Sequence, residues 1–303
     1  MIVSEPTRCA FVAVLGAPNA GKSTLVNAFV GTKVSIVSPK VQTTRTRVRG
    51  VAMSGNAQIV FIDTPGIFRT AKRRLERAMV AAAWGGAADA DRLMLTIDAS
   101  RGIDDDTRVI IDTLKSASST GVILVLNKID LVERSKLLAL TESLFNEGIF
   151  ERVFMISAKS GDGIADLLAC LVESAPEGPW MFPEDEVSDV PQRLLAAELT
   201  REKVFLNLHE ELPYSITVET ERWDERPDGS VRIDQTIYVM RDSQRMIVLG
   251  KGGSKIRSIG ASARKELESL LERRIHLFLH VTVREQWAED PSRYNAWGLD
   301  YNV

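Results

Sequence analysis

Short apolar runs alternate with amphipathic stretches through the first half of the chain. Phe11 to Leu15, Gln58 to Ile62, Leu93 to Ile97, Val122 to Leu126 and Val153 to Ile156 are short enough to be buried strands. Ser23 to Val30, Glu133 to Glu147 and Asp162 to Glu173 read as helices. Another helix opens at Asp104-Asp105-Asp106, where negative charge favours a helix N-terminus. Arg47 to Met53 alternates loosely and, across the Gly55-Asn56 turn, forms a hairpin with Gln58 to Ile62. Pro39 argues against a helix within Gly31 to Arg45. Strands that alternate with helices predict a doubly wound α/β domain with a mostly parallel sheet. Its ligand loops lie at the carboxyl ends of the strands.

The pattern changes at Ser174 to Pro191, which holds four prolines and five acidic residues but no lysine or arginine. This composition predicts a linker, and Trp180-Met181-Phe182 offers a means of pinning it to one domain. Beyond it, Gln192 to Glu210 is a helical segment. Tyr214 to Thr220 and Val231 to Met240 are strands around Asp228-Gly229. Ser243 to Leu249 is a short helix, Ser254 to Leu271 a longer one, and His276 to Val283 a strand. The order α-β-β-α-α-β predicts an α+β domain. The expected division is residues 1–175, a linker over 176–191, and a second domain over 192–303. The fate of Pro291 to Val303 is not legible.

Composition narrows the classes. At 303 residues with a net charge of −3, the chain is long enough for two domains and has no global basic field. Cys9 and Cys170 show no pairing pattern, which suits a reducing cytoplasm and small core residues. No signal peptide is visible, and no apolar run approaches the ~18 residues of a membrane span. Glycines 85 and 86 and Asp89 interrupt the alanine-rich stretch from Ala78 to Ala90. The three histidines lack metal-ligand spacing, and His276 and His280 share a solvent-facing side of the last strand.

Chemistry concentrates in the loops. Gly16-Ala17-Pro18-Asn19-Ala20-Gly21-Lys22-Ser23 fits G-x-x-x-x-G-K-[ST] and stands between a strand and a helix, so backbone N–H groups converge where a triphosphate can bind. Thr24 extends this stretch. Lys22 is placed to reach the β- and γ-phosphates and Ser23 to bind Mg²⁺. Asp63-Thr64-Pro65-Gly66 fits D-x-x-G: Asp63 would hold Mg²⁺ through water, and the Gly66 N–H could swing onto a γ-phosphate. Asn127-Lys128-Ile129-Asp130 fits N-K-x-D. A carboxylate at Asp130 can accept from guanine N1–H and the 2-amino group, which adenine does not offer in that geometry. The Lys128 stem would lie along the base, and Asn127 would tie this loop to the phosphate loop. In Ser157-Ala158-Lys159, the Ala158 N–H could reach guanine O6.

With a threonine in Gln42-Thr43-Thr44-Arg45, this set resembles the translation-factor-related GTPases. The resemblance implies that a threonine of this segment completes the Mg²⁺ shell, with Thr44 favoured over Thr43. It also implies that Asp63 to about Arg77 moves as a switch. Lys22, Thr44 and Gly66 are the expected catalytic residues. Ile67 stands where many small GTPases carry a water-orienting glutamine, so slow intrinsic hydrolysis is expected. Asn19 has two readings: a ligand for K⁺ near the phosphates, as in related GTPases, or a cap for the loop backbone. The basic run from Arg69 to Arg77 is either a solvated face or a contact for RNA or a partner.

In the second domain, Gly250-Lys251-Gly252-Gly253 is a G-x-x-G loop between two helices, the signature of a KH clamp on about four nucleotides of single-stranded nucleic acid. Lys255 and Arg257 join Lys251 in supplying charge, and residues 241–258 hold five basic residues against one acidic. Together with LPYSITVE, GKGGSKIRSIG, ARKELE and Val41-Gln42-Thr43-Thr44-Arg45, the pairing of domains resembles the Era family of bacterial GTPases across essentially the whole chain. That resemblance implies a monomeric, cytoplasmic switch. It would bind near the 3′ end of 16S rRNA on the 30S subunit and act in small-subunit maturation. Weak peripheral association with the inner membrane is also implied, without any anchor in the sequence. Two other readings stand beside it: an RNA-binding module whose nucleotide domain is only a platform, and a regulatory GTPase whose basic segments meet anionic lipid.

Overall fold

The computed structural model describes residues 6–40, 43–119, 121–208 and 215–303. Its contacts fall into two compact units. The first comprises Met1–Ser35, Thr44–Asp189 and Tyr294–Val303; the second comprises Ile36–Thr43 and Val190–Arg293.

In the first unit, β1 (Arg8–Leu15), β2 (Val48–Ser54), β3 (Ala57–Asp63), β4 (Arg92–Asp98), β5 (Val122–Asn127) and β6 (Phe150–Met155) form one sheet in the order β2-β3-β1-β4-β5-β6. Only the β2–β3 pair is antiparallel. All of β3 and β5 is buried, which is why these strands read as unbroken apolar runs rather than alternating ones. The connecting helices are α1 (Lys22–Val30), α2 (Arg74–Ala88), α3 (Asp105–Ser116), α4 (Arg134–Phe145) and α5 (Ile164–Ser174). Asp104 caps α3 by accepting the Thr107 N–H, as the acidic triplet predicts. The glycines at 85 and 86 do not break α2, which runs through them.

The proline-rich segment is held within this unit. Buried Gln58 accepts the N–H groups of Met181 and Phe182 and donates to the Phe182 carbonyl, and Trp180 Nε1 donates to Asn56 O. Val51 N–H donates to Val187 O, and Arg49 pairs with Asp189. Tyr294, Trp297 and Leu299 are buried in the same unit, which is where the unread tail goes.

In the second unit, β7 (Ile216–Glu225), β8 (Val231–Val239) and β9 (Ile275–Val283) form a three-stranded sheet in that order, β7 antiparallel to β8 and β8 parallel to β9. Around it stand α6 (Gln192–Asn207), α7 (Asp242–Leu249) and α8 (Ser254–Leu271); the short α9 (Pro291–Ala296) begins in this unit, and its last residues belong to the first. Strand β8 alternates strictly, its buried Val231, Ile233, Ile237 and Val239 packing with residues of α6 and α8 such as Leu199, Val204, Ile259 and Leu267. His280 is exposed and His276 half-buried on the opposite side. Strand β7 continues past Thr220 through polar residues because it is an edge strand, with an irregularity in pairing at Thr220 to Arg222. Val41, Gln42 and Tyr214, which carried parts of the sequence reading, lie outside the described residues. Among the described residues, no helix is long and apolar enough to cross a membrane.

Candidate nucleotide site and nucleic-acid loop

The loop between β1 and α1 is built for an anion. Gly21 stands at φ 95°, and a Cβ there would lie 2.2 Å from Asn127 Nδ2, so only glycine fits. No side chain caps α1, so its first N–H groups remain available to a ligand. Lys22 is buried, and its Nζ donates to Gly16 O at 2.9 Å and Ala17 O at 3.0 Å. Burial lowers the Lys22 pKa to about 8, an effect that the nearby Asp63 carboxylate opposes.

Beside it, Ser23 Oγ lies 2.8 Å from Thr44 Oγ1. Thr43 is engaged elsewhere, with Ser38 Oγ and Lys40 O each 2.6 Å from its hydroxyl. Asp63 is fully buried: Oδ2 accepts from Ser35 Oγ at 2.7 Å, while Oδ1 has no hydrogen-bond partner. Burial raises the Asp63 pKa against the opposing pull of Ser35, Ser23, Lys22 and Thr44. A buried, unsatisfied carboxylate oxygen near two hydroxyls suits a hard divalent cation such as Mg²⁺. The Ile67 side chain is buried, and its N–H donates to Gly16 O at 3.2 Å. Gly66 lies against Pro18 of the phosphate loop.

The base-selecting loop hangs on Asn127. Its Nδ2 donates to Ala20 O at 2.9 Å, and its Oδ1 accepts the N–H groups of Lys128 at 2.8 Å and Ala158 at 2.9 Å. The Ala158 N–H, read as a donor to guanine O6, donates here to Asn127 Oδ1 and so joins the two loops. Asp130 is exposed in the middle of the 3₁₀ turn Ile129–Leu131. Lys128, at φ 64°, turns its Nζ back to Asn19 O at 2.8 Å and Asp98 Oδ2 at 2.6 Å. Asp98 escaped the sequence reading. The signal was an acidic residue ending an otherwise apolar strand, in register with Asn127 on β5. Burial would raise its pKa, but hydrogen bonds from Lys128 and Ser100 override this and hold it below the ordinary value.

The arginine run is not a uniformly solvated face. Arg69 pairs with Asp105 at 2.9 Å. Arg74 stacks 4.2 Å over the Tyr301 ring and donates to its carbonyl, and Arg77 donates to Val303 O.

In the second unit, Gly250, Gly252 and Gly253 all have positive φ, which shapes the G-x-x-G loop, and Gly253 heads α8 without a side-chain cap. A Cβ at Gly250 would meet Lys255 Cβ at 2.7 Å, whereas nothing stands within 4 Å of one at Gly252. The loop is thus packed at its base and open at its tip. Lys251 and Arg257 are exposed and Lys255 is half-buried. Met246 and Ile247, 65% and 45% exposed, add an apolar face that the sequence reading missed. Its signal was two apolar residues on a helix whose one buried residue is Val248.

Phosphate, metal and base loops on a doubly wound sheet, joined to a G-x-x-G domain, define a guanine-nucleotide-binding P-loop protein with a KH domain. Family models agree: residues 11–128 match a family described as 50S ribosome-binding GTPase, and residues 211–288 match the KH domain. The chain is 59% identical over 98% of its length to GTPase Era of Rhizobium meliloti (strain 1021), covering 94% of that protein. It is 57% identical to GTPase Era of Dinoroseobacter shibae, covering 97% of that protein. It therefore belongs to the Era family of GTPases. Among solved structures, it is similar to Era in complex with MgGDPNP and nucleotides 1506–1542 of 16S ribosomal RNA. The TM-score is 0.91 and the identity 37%, with 96% of this chain and 99% of that one covered. An Aquifex aeolicus Era variant bound to GDP and AlF₄⁻ matches with the same score and coverage.

Three expectations follow. Above about pH 8 the empty site leaves Lys22 largely neutral, and a bound triphosphate restores its charge. Binding at pH 9 therefore takes up roughly one proton, read by calorimetry in buffers of different ionisation enthalpy; Lys22→Met removes the uptake. The lowered pKa also makes the nucleotide-free protein gain stability with rising pH between about 8 and the ordinary lysine value of 10.5, because the unfolded chain binds the extra proton there. Asp98→Ala releases Lys128 and weakens GDP and GTP affinity alike, by roughly tenfold; Asp98→Asn, which keeps an acceptor, loses less. Stopped-flow binding of a fluorescent GDP checks both.

Proposed function

We propose that this chain is a GTP-hydrolysing switch that binds single-stranded rRNA near the 3′ end of 16S rRNA and assists maturation of the small ribosomal subunit. The similarity over nearly the full length to an Era solved with MgGDPNP and nucleotides 1506–1542 of 16S rRNA carries this reading. Residues 1–175 act as the nucleotide domain, 176–191 as the linker and 192–303 as the RNA-binding domain with its tail. The protein works as a cytoplasmic monomer on the 30S subunit, with at most weak peripheral contact with the membrane.

Gly16 to Thr24 wrap the phosphates, and Lys22 neutralises charge that develops on the transferred group. Ser23 and Thr44 would hold Mg²⁺ directly and Asp63 through water, and the ion would supply positive charge to the phosphates. Thr64 and Pro65 carry Gly66, whose N–H meets the γ-phosphate. Asn127, Lys128 and Asp130, with Ser157 to Lys159, select guanine. Buried Ile67 cannot orient a water, so intrinsic hydrolysis is slow. Asn19 would hold K⁺, which would add positive charge near the phosphates. Lys128 fixes the Asn19 backbone from the base-selecting side, which supports this role. In the second domain, Gly250 to Gly253 admit the sugar–phosphate backbone while Lys251, Lys255 and Arg257 supply charge.

GTP hydrolysis measured in K⁺ or Na⁺ buffer, with an RNA copying the 3′ end of 16S rRNA or its scrambled control, tests both parts. The expected result is stimulation by the matched RNA alone and faster turnover in K⁺. Equal rates in the two salts would contradict the role of Asn19. Absence of binding and stimulation by the matched RNA would contradict the RNA target.

A further inference from the structure

Helix α1 carries Ser23 and Asn27 one turn apart, on the same face. Gly31, at φ 78°, ends the helix and donates its N–H to Asn27 O. The chain then returns past the Asn27 side chain. Asn27 Oδ1 accepts the N–H groups of Val34 and Ser35, each at 2.9 Å, and Nδ2 donates to Ser35 O at 2.7 Å. One amide thus holds both backbone polar groups of Ser35. The Ser35 hydroxyl, in a residue only 3% exposed, donates to Asp63 Oδ2 at 2.7 Å. Asn27, Val34, Ser35 and Asp63 all belong to the first unit.

The Asp63 backbone is fixed in the sheet, opposite Val14 on β1 and Val48 on β2. That does not choose between the carboxylate oxygens, because the last torsion of an aspartate is broad and roughly two-fold. The Ser35 hydroxyl takes Oδ2, while buried Oδ1 has no hydrogen-bond partner among the described residues. A buried hydroxyl is costly unless it is hydrogen-bonded, and an alanine would fill most of the same space without that cost. What the serine adds is a direction. It engages one oxygen of Asp63 and leaves the other for a ligand.

We propose that Ser35, held by Asn27, is a positioning residue for Asp63. It fixes the carboxylate with Oδ2 engaged and Oδ1 left for the water shell of Mg²⁺. The inference rests on the reading of Asp63 as a holder of Mg²⁺ through water, and it adds the residues that aim the carboxylate. Ser23 and Asn27 share α1, so a direct metal ligand and the clamp that aims Asp63 stand on one rigid element. Removing the hydrogen-bonding partner of a metal-holding group typically weakens the metal by about 10- to 100-fold. Neither Asn27 nor Ser35 wraps phosphate or selects guanine. Their loss should therefore appear in the response to Mg²⁺ and not in the affinity for metal-free nucleotide.

The test measures release of fluorescent GDP from the full-length protein, in EDTA and across a Mg²⁺ titration. The variants are Ser35→Ala, Ser35→Thr, Asn27→Ala, Asp63→Ala and Ser35→Ala combined with Asp63→Ala. In EDTA, Ser35→Ala and Asn27→Ala should release GDP within about twofold of the unmodified rate, which also shows that the pocket is folded. The Mg²⁺ concentration that half-slows release should rise by about tenfold in Ser35→Ala, and in the same direction in Asn27→Ala. Ser35→Thr, which keeps the hydroxyl, should recover part of the loss. The double variant should be no weaker toward Mg²⁺ than Asp63→Ala alone, because Ser35 acts through Asp63. A Mg²⁺ midpoint within about twofold of normal in Ser35→Ala, with that of Asp63→Ala strongly raised, would overturn the proposal. Equal weakening of GDP in EDTA and in Mg²⁺, the mark of a purely structural role, would also overturn it. A normal midpoint in Asp63→Ala would instead remove the reading of Asp63 as a holder of the metal, and the proposal with it.

Discussion

The buried side-chain amide of Asn127 holds the nucleotide site in register. It donates to the phosphate loop at Ala20 and accepts from its own loop at Lys128 and from the next at Ala158. The three loops end different strands of one sheet, and each would otherwise be free to shift along its neighbour. Because the amide is 2% exposed, losing any of its partners leaves a polar group without water to replace it. Asp98 plays the same part on a smaller scale. It sits opposite Asn127 on the adjacent strand and steers Lys128 back to Asn19. Guanine recognition and phosphate binding are thus parts of one hydrogen-bonded assembly.

The assembly keeps two charges out of water before any ligand arrives. Burial pushes the Lys22 pKa down and the Asp63 pKa up. Both shifts disfavour the charged forms that a metal–triphosphate complex requires, so the ligand restores charges that the empty site suppresses. The second unit uses a different device. Its loop is narrow at Gly250, where a side chain would strike Lys255, and open at Gly252, so a backbone ligand can approach the tip while the base stays packed.

Much of this was legible in the sequence, and the rest was hidden for definite reasons. Strands β3 and β5 stood out as apolar runs because both of their faces are covered, and β8 by its strict alternation. The G-x-x-x-x-G-K-S, D-x-x-G and N-K-x-D residues carry their own spacing. Asp98 was not legible, since one acidic residue at the end of a strand has many explanations until Lys128 is placed beside it. Arg201 and Glu202 belong to no motif in the sequence; only tertiary contact shows that they face backbone groups rather than water. The tail from Tyr294 to Val303 lacked periodicity, yet its aromatic residues bury against or stack on arginines of the first unit.

The most direct measurement is the dissociation of fluorescent GDP from an Asn127→Ala variant whose far-UV circular dichroism matches the unmodified protein. If this amide joins the phosphate and base loops, the affinity for GDP falls by about a hundredfold, the order expected when three hydrogen bonds of a buried side chain are lost at roughly 1 kcal/mol each. GDP affinity within about threefold of the unmodified protein would contradict that account.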